Sequence, residues 1–292
     1  MSRTKTVVTV ISKISERPAS HTSALVVIYG DDLGRKYDLD QSATVIGRSS
    51  GADIQIDQDS ISRNHARIAH EGKVALVADM GSTNGTFVND ELVVGSLPLR
   101  NGDLIKIGRT IFKYIAGGNI EGMYHEEIYR LTTTDGLTQI YNKRYFLETL
   151  EREVSRCQRY GRSLCLVMMD IDHFKKVNDG FGHLAGDHVL KQVASSVRGK
   201  IRREDIFARY GGEEFALILP EIELKGAVAT AEKLRKLIEK QRFTFEDQNI
   251  PVTLSAGVAS IRQPLSDPEV LIGAADGKLY EAKAGGRNRV CS

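Results

Sequence analysis

The chain of 292 residues carries 40 Lys and Arg against 38 Asp and Glu, a formal net charge of +2, with 41% hydrophobic and 27% charged residues. That balance excludes wholesale disorder and fibrous architecture, and it gives no electrostatic case for bulk binding to nucleic acid or insertion into a membrane. At about 100–200 residues per domain, two domains are expected.

The longest apolar runs, such as Leu164 to Met169, are far too short to span a bilayer. The opening MSRTKTVVTVISK has basic residues but no apolar core of signal-peptide length. Cys157, Cys165 and Cys291 leave one thiol over from any pairing and read as reduced, so a cytoplasmic location is expected.

Residues 1–23 hold nine Ser and Thr, four Lys and Arg and one acid, Glu16, and read as a flexible tail. Val7 to Ile14 could form a short strand there, but nothing fixes it. From 24 to 116 short apolar runs come at close spacing: ALVVIYG, RKYDL, ATVIGR, ADIQI, HARIA, KVALVAD, GTFV, DLIKIG and TIFKYI. Turn residues separate them, and the pattern predicts an all-β sandwich with no helix. Gly117-Gly118-Asn119 punctuates a boundary, and residues 117–134 read as a linker with a helix at MYHEEIYRL. TTTDGLT then reads as a turn or cap.

From 135 to 292 helical and strand patterns alternate. KRYFLETLEREVSRCQRY, HLAGDHVLKQVASSVRGKI, KGAVATAEKLRKLIEKQ and DPEVLIGAADGKLYEAKAGG read as helices. LCLVMMDI, FALILP and VTLSAGVASI read as strands, giving an α/β domain with helices packed on a sheet.

Three loops of the first domain share one chemistry: Gly47-Arg48-Ser49-Ser50, Ser60-Ile61-Ser62-Arg63-Asn64-His65 and Ser82-Thr83-Asn84-Gly85-Thr86. A guanidinium fork with neutral hydroxyl and amide donors suits a phosphate ester. Taken singly, each loop could equally be a turn built from Ser, Asn and Gly. In order, GR, SRNHA and STNGTFVN resemble the forkhead-associated (FHA) domain, which binds phosphothreonine peptides. The resemblance implies that Arg48 and Ser62 grip the phosphate, with Arg63 adding a contact. Thr83 and Asn84 would hold the peptide, and His65 would brace the loops.

In the second domain the buried strand ends in Asp170-Ile171-Asp172, carboxylates that suit magnesium. Arg209-Tyr210-Gly211-Gly212-Glu213-Glu214-Phe215 reads as a tight hairpin, and strand alternation would send Glu213 and Glu214 to opposite faces. On its own that hairpin could be a surface turn with solvated acids. Gly180 to Gly186 imitates a dinucleotide fingerprint with one residue too many, and no GxxxxGK[ST] occurs. His183 and His188 are five apart and do not share a helical face, which argues against zinc.

RYGGEEF, with DGLT, MDIDHFKKVND, FGHLAGDHVL, LSAGVA and LYEAKAGGRNRV in order, resembles the GGDEF-domain diguanylate cyclases. The resemblance implies a nucleotidyl-cyclase-like palm fold that joins two GTP into cyclic di-GMP, with Mg²⁺ or Mn²⁺ as cofactor. Asp170 and Glu213 would be carboxylate metal ligands and Ile171 a carbonyl ligand, with Glu213 as proton acceptor and Glu214 assisting. Asn178 and Asp187 would read guanine. Phe174, Lys175 and His183 would lie around the nucleotide, and Lys283 and Arg287 would be phosphate cations. The i, i+4 spacing of that last pair suggests one helical face, though a solvated pair would look the same. Arg202 and Asp205 match an RxxD product-inhibition motif and could otherwise be a charged helix end. Each domain would hold one GTP, so a homodimer is implied. The phosphothreonine ligand would be the chain's own tail or another protein. A cyclase domain that only binds nucleotide, or a scaffold led by the first domain, remains the competing reading.

Overall fold

The computed structural model describes residues 22–72, 74–117, 121–261 and 267–292. The expected tail strand, Thr4, Thr6, Thr9, Gly118 and Asn119 lie outside the described residues. The chain divides into two compact units between Thr132 and Thr133.

The first unit contains β1 (Ala24–Tyr29), β2 (Lys36–Asp38), β3 (Ala43–Gly47), β4 (Ile54–Gln55), β5 (Ala66–Glu71), β6 (Val74–Asp79), β7 (Thr86–Val88), β8 (Glu91–Leu92), β9 (Ser96–Pro98), β10 (Leu104–Ile107) and β11 (Thr110–Ile115). They form two sheets, in the orders β2-β1-β11-β10-β7-β8 and β4-β3-β5-β6-β9. Period-2 alternation decides which side chains meet between them: Ile105 and Ile107 of β10 are buried while Leu104 and Lys106 face out. Leu25, Val27, Ile46, Ile68, Val77 and Phe112 complete the core. The expected sandwich is thus present. Its edge strands β8 and β9 run only two and three residues and carry no alternation that would announce them.

Helix α1 (Glu121–Thr133) follows β11. Lys113 Nζ reaches Glu121 Oε1 at 2.5 Å and Lys36 Nζ reaches Glu126 Oε2 at 3.3 Å.

In the second unit the elements are β12 (Tyr141–Asn142), α2 (Lys143–Tyr160), β13 (Leu164–Ile171), α3 (Phe174–Phe181), α4 (His183–Arg198), β14 (Ile206–Gly211), β15 (Glu214–Pro220), α5 (Leu224–Lys240), β16 (Phe243–Phe245), β17 (Gln248–Ile250), β18 (Leu254–Ser260), α6 (Pro268–Ala284) and β19 (Val290–Cys291). The main sheet runs β12-β14-β15-β13-β18-β19. All eight residues of central β13 are buried, as a strand covered on both faces requires. Cys165, Val167, Met169 and Ile171 pack with α4 and α5, whereas Leu164, Leu166 and Met168 pack with α2 and α6.

Local chemistry sets the ends. Asn142 caps α2 by accepting from the Tyr145 N–H at 2.9 Å, and Gly161 closes the helix at φ 64°. Gly257 lets α6 press onto β18: a Cβ there would lie 2.1 Å from both the Ala275 carbonyl oxygen and the Leu279 nitrogen. The short strands β12, β16, β17 and β19, and helix α3, were not expected from the pattern. Each is eight residues or fewer and shaped by its neighbours.

Candidate functional site

In the second unit, Asp170 is the penultimate residue of β13, opposite Glu214 of β15 on one side and Ser255 of β18 on the other. Residues directly opposite in antiparallel strands share a face, so Asp170 and Glu214 point the same way. The same face of the sheet carries α6, and Lys283 Nζ lies 2.9 Å from Asp170 Oδ2. Burial pushes the Asp170 carboxyl above its ordinary range. The Lys283 ammonium pulls it down, and the charges of Glu213 and Glu214 push it up again.

Glu213 lies in the two-residue turn, before β15 begins at Glu214. The expectation that strand alternation separates the two glutamates is therefore corrected, because the alternation starts one residue later. Glu213 is placed instead by its backbone, whose carbonyl accepts from the Ile171 N–H at 3.4 Å. Among the described residues, no three His, Cys, Asp or Glu side chains form a ready metal cluster. The expected set needs only two carboxylates with the Ile171 carbonyl. Those are hard oxygen donors, and a cationic ammonium already sits on Asp170, so the arrangement fits Mg²⁺ or Mn²⁺.

Two residues missed as site-builders fix that hairpin. Arg209 Nε and Nη2 both donate to the Gly212 carbonyl, at 2.9 and 2.8 Å, and Nη1 reaches Asp135. The DGLT and RYGG runs quoted above contained both partners, but nothing local showed that they meet.

Gly186 of α4 lets Asn178 of α3 approach that helix closely, since a Cβ there would lie 2.0 Å from Asn178 Oδ1, and Asp187 is the next residue of α4. Phe174 is buried at the start of α3 while Lys175 is exposed, and His183 is exposed at the start of α4. The left-handed φ of 55° at His173 turns the chain from β13 into α3.

The expected helical face of Lys283 and Arg287 is not formed. Helix α6 stops at Ala284, Gly286 takes φ 110°, and Arg287 follows at φ 64° with its N–H on the Ala282 carbonyl. Two successive glycines end the helix, so the i, i+4 rule no longer relates the pair. Asp172 is engaged in internal hydrogen bonds. It is buried, accepts from Ser255 Oγ and Thr253 Oγ1 at 2.7 Å each, and accepts from the Asn288 N–H at 3.0 Å.

Asp205 sits at 6% exposure after α4. Its Oδ2 accepts from the Arg202 N–H at 2.8 Å, whereas its buried Oδ1 has no hydrogen-bond partner among the described residues. The Arg202 guanidinium is 3.6 Å from Glu204.

In the first unit the three loops converge. The Arg48 N–H donates to the Ser62 carbonyl at 2.9 Å and the Ser49 N–H to the Arg63 carbonyl at 3.2 Å. Gly47 permits this approach, since a Cβ would lie 2.1 Å from the Arg63 carbonyl oxygen. The Thr83 N–H donates to Ser62 Oγ at 3.1 Å, and Asn84 Nδ2 donates to the Ser60 carbonyl at 2.8 Å. His65 is fully buried. Its Nδ1 accepts from the Ser62 N–H at 3.1 Å, which leaves Nε2 as the donor to the Gly85 carbonyl at 3.0 Å. The bracing role expected for His65 is thus present. Asp79 anchors the third loop, taking the Gly81 and Ser82 N–H groups on Oδ1 and the Ser82 and Thr86 hydroxyls on Oδ2. Arg63 is exposed beside this cluster.

Comparison with known proteins agrees with this geometry. Residues 44–108 match the FHA domain, and residues 132–289 match the family described as diguanylate cyclase, GGDEF domain. Diguanylate cyclase DgcP of Pseudomonas aeruginosa is 43% identical over 157 residues, covering 54% of this chain and 23% of that protein. Diguanylate cyclase A of Treponema denticola is 37% identical over 185 residues, covering 62% and 50%. The chain thus spans half or less of these relatives' length. The structure of the coiled coil and GGDEF domain of DgcB from Caulobacter crescentus, in complex with c-di-GMP, aligns with a TM-score of 0.56 at 35% identity, covering 58% of this chain and 90% of that one. Diguanylate cyclase SiaD of Pseudomonas aeruginosa, solved with its activator SiaC, aligns at 0.54 with 34% identity, covering 59% and 65%. With the family match extending over more than half its length, the chain belongs to the GGDEF-domain family and carries an FHA domain ahead of it.

Proposed function

We propose that this protein is a diguanylate cyclase that condenses two GTP into cyclic di-GMP and releases two pyrophosphates. The observation that carries the reading is the convergence of Asp170, Glu214 and Lys283 on one sheet face beside the Glu213 turn. The 3′-hydroxyl of one GTP attacks the α-phosphate of the other and displaces pyrophosphate, and the reciprocal attack closes the ring. Glu213 takes the proton of the attacking hydroxyl, with Glu214 beside it. Asp170, Glu213 and the Ile171 carbonyl would hold Mg²⁺ or Mn²⁺, which when bound supplies positive charge at the triphosphate. Lys283 neutralises Asp170 and, with Arg287, meets the phosphates. Asp187 accepts from the guanine N1–H and 2-amino group, which adenine does not present together, and Asn178 assists. Phe174 and Lys175 offer backbone amides at the α3 terminus, with His183 nearby.

One GTP per domain requires two domains face to face, so the working species is a homodimer. The FHA loops receive a phosphothreonine on Arg48, Ser62 and Arg63, with Thr83 and Asn84 on the peptide. That ligand is the chain's own tail or another protein. Product binds Arg202 and Asp205, and the buried Asp205 Oδ1, without a partner among the described residues, supports the idea. Among the described residues no helix is long and apolar enough to cross a membrane, and we place the protein in the cytoplasm.

The test is incubation of purified protein with GTP and Mg²⁺, with cyclic di-GMP followed by chromatography. Product from the parent and none from Asp170→Ala supports the reading. No product from a protein that binds GTP would favour a nucleotide-binding module instead.

A further inference from the structure

The loop that carries Arg287 holds two consecutive left-handed residues, Arg287 at φ 64° and Asn288 at φ 47°. Asn adopts that conformation readily but Arg seldom does, so contacts beyond the two residues help to hold the loop. The groups that do so meet on the Asn288 amide. Its Oδ1 accepts from Arg235 Nη1 at 2.6 Å, and its Nδ2 donates to Glu239 Oε1 at 2.6 Å. Arg235 is buried at 8% exposure and is itself held by Glu232 and Glu239 on α5. The Asn288 N–H closes the circuit on Asp172 Oδ2, two residues beyond Asp170.

These contacts join α5, the end of β13 and β18 to one short loop. Asn suits the position twice over. It tolerates the left-handed backbone, and its amide offers both the acceptor Arg235 needs and the donor Glu239 needs. Arg287, the neighbour held in place, is exposed, and among the described residues its guanidinium has no hydrogen-bond or ion-pair partner. An elaborate network thus spends its bonds on the residue next to an unspent cation.

We propose that Asn288 is a positioning residue for the triphosphate, fixing the loop through Asp172, Arg235 and Glu239 so that Arg287 is aimed at the phosphates of a bound nucleotide. The inference rests on the proposed GTP-binding reading of the site, and it concerns phosphate affinity rather than guanine recognition. Asn178 and Asp187 stand on other elements, α3 and α4, and Asn288 does not touch them.

The test uses the full-length protein and 3′-deoxy-GTP, which lacks the attacking hydroxyl and so reports binding without turnover. Guanosine, which lacks phosphates, is the control ligand. Asn288→Gly keeps the left-handed backbone and removes the amide, while Asn288→Ala changes both. Both variants should bind 3′-deoxy-GTP about ten-fold more weakly by calorimetry and bind guanosine within about two-fold of the parent. Arg287→Ala should lose a similar factor, and the Arg287→Ala, Asn288→Gly double variant little more, because the two residues act as a unit. Unchanged 3′-deoxy-GTP affinity in Asn288→Gly overturns the proposal, as does an equal loss for guanosine or a double variant whose losses multiply. Absence of cyclic di-GMP from the parent would instead sink the cyclase reading and leave these affinities to decide the role of Asn288.

Discussion

Arg209 and Asp135, 74 positions apart, are joined by Arg209 Nη1 at 3.2 Å from Asp135 Oδ1 and 3.4 Å from Oδ2. The same guanidinium grips the Gly212 carbonyl, so one side chain ties the entry turn of the domain to the turn holding Glu213. Arg209→Lys keeps the charge but has no fork for two acceptors. It should lower turnover about ten- to a hundred-fold, the scale of a small misplacement in an active site, with a melting temperature near the parent's. Full turnover in Arg209→Lys would show that the clamp does not position the hairpin.

The same pair predicts an acid response. Burial alone would raise the Asp135 carboxyl, but hydrogen bonds from Thr138 and the Arg209 charge outweigh it and hold it below its ordinary value. A depressed folded value means stability that is present above the unfolded pKa, about 3.9, and lost as pH falls through the folded value. Asp135→Asn should therefore flatten the loss of thermal stability below about pH 4, measured by melting scans across that range. An unaltered acid slope would exclude Asp135 as its source.

Asp170→Asn preserves shape and removes the charge that Lys283 and a divalent cation would share. Synthesis should fall at least about a hundred-fold. The fold should survive, because a buried carboxyl whose ionisation burial opposes contributes little net stability. Near-normal turnover would remove Asp170 from the metal site. The companion variant Glu213→Ala should lose activity equally, since its side chain lies in the turn and its backbone bond to Ile171 is retained.

Arg202→Ala should relieve inhibition by added cyclic di-GMP while leaving the initial rate intact. An Arg can meet guanine O6 and N7 together, as it does in DNA. In the parent the guanidinium lies 3.6 Å from exposed Glu204, a weak competitor for such a ligand. Equal inhibition curves for parent and variant would refute the product site.

What was legible from residues alone has a physical pattern. The long elements were readable because burial repeats along them: β13 is apolar from Leu164 to Met169, and α2 buries Tyr145, Leu150, Val154 and Cys157 at helical spacing, although Leu147, read onto the same face, is exposed. The candidate site residues came from family resemblance, and the structure adds only local contacts among them, Asn178 against Gly186 and the Thr83 N–H on Ser62 Oγ. Contacts between distant positions were not readable. Nothing in MDIDHF distinguishes Asp170, which faces Lys283, from Asp172, which braces Asn288, until β18 and the C-terminal loop are laid alongside. The Lys283–Arg287 spacing misled for a related reason, because the glycine pair ends α6 between them.

Gly257 offers a test of packing that does not involve chemistry. Its missing Cβ would strike two backbone atoms of α6, which cannot swing aside as a side-chain tip does. Gly257→Ala should cost about 2 kcal/mol or more through overpacking, lowering the melting temperature of the cyclase unit by roughly 4–8 °C. A melting temperature equal to the parent's would mean that β18 and α6 separate more easily than their contact implies.

The FHA loops supply the last expectation, that the tail is their ligand. Thr4, Thr6, Thr9 and Thr22 precede the sandwich on a short tether. Phosphorylation adds roughly −1.5 to −2 charges and three strong acceptors. On such a tether the local concentration reaches about the millimolar range, so even a weak contact would be populated within one chain or across a dimer. Docking across a dimer would also bring two cyclase domains together. The receiving loops are already braced by His65, Asp79 and Asn84, so binding would not have to order them first. Peptides phosphorylated singly at each threonine should be titrated against the full-length protein by fluorescence anisotropy. At least one should bind, and Arg48→Ala should weaken it at least about ten-fold by removing the charge-assisted bonds to phosphate. If no peptide binds, or Arg48→Ala binds as well as the parent, the ligand is another protein.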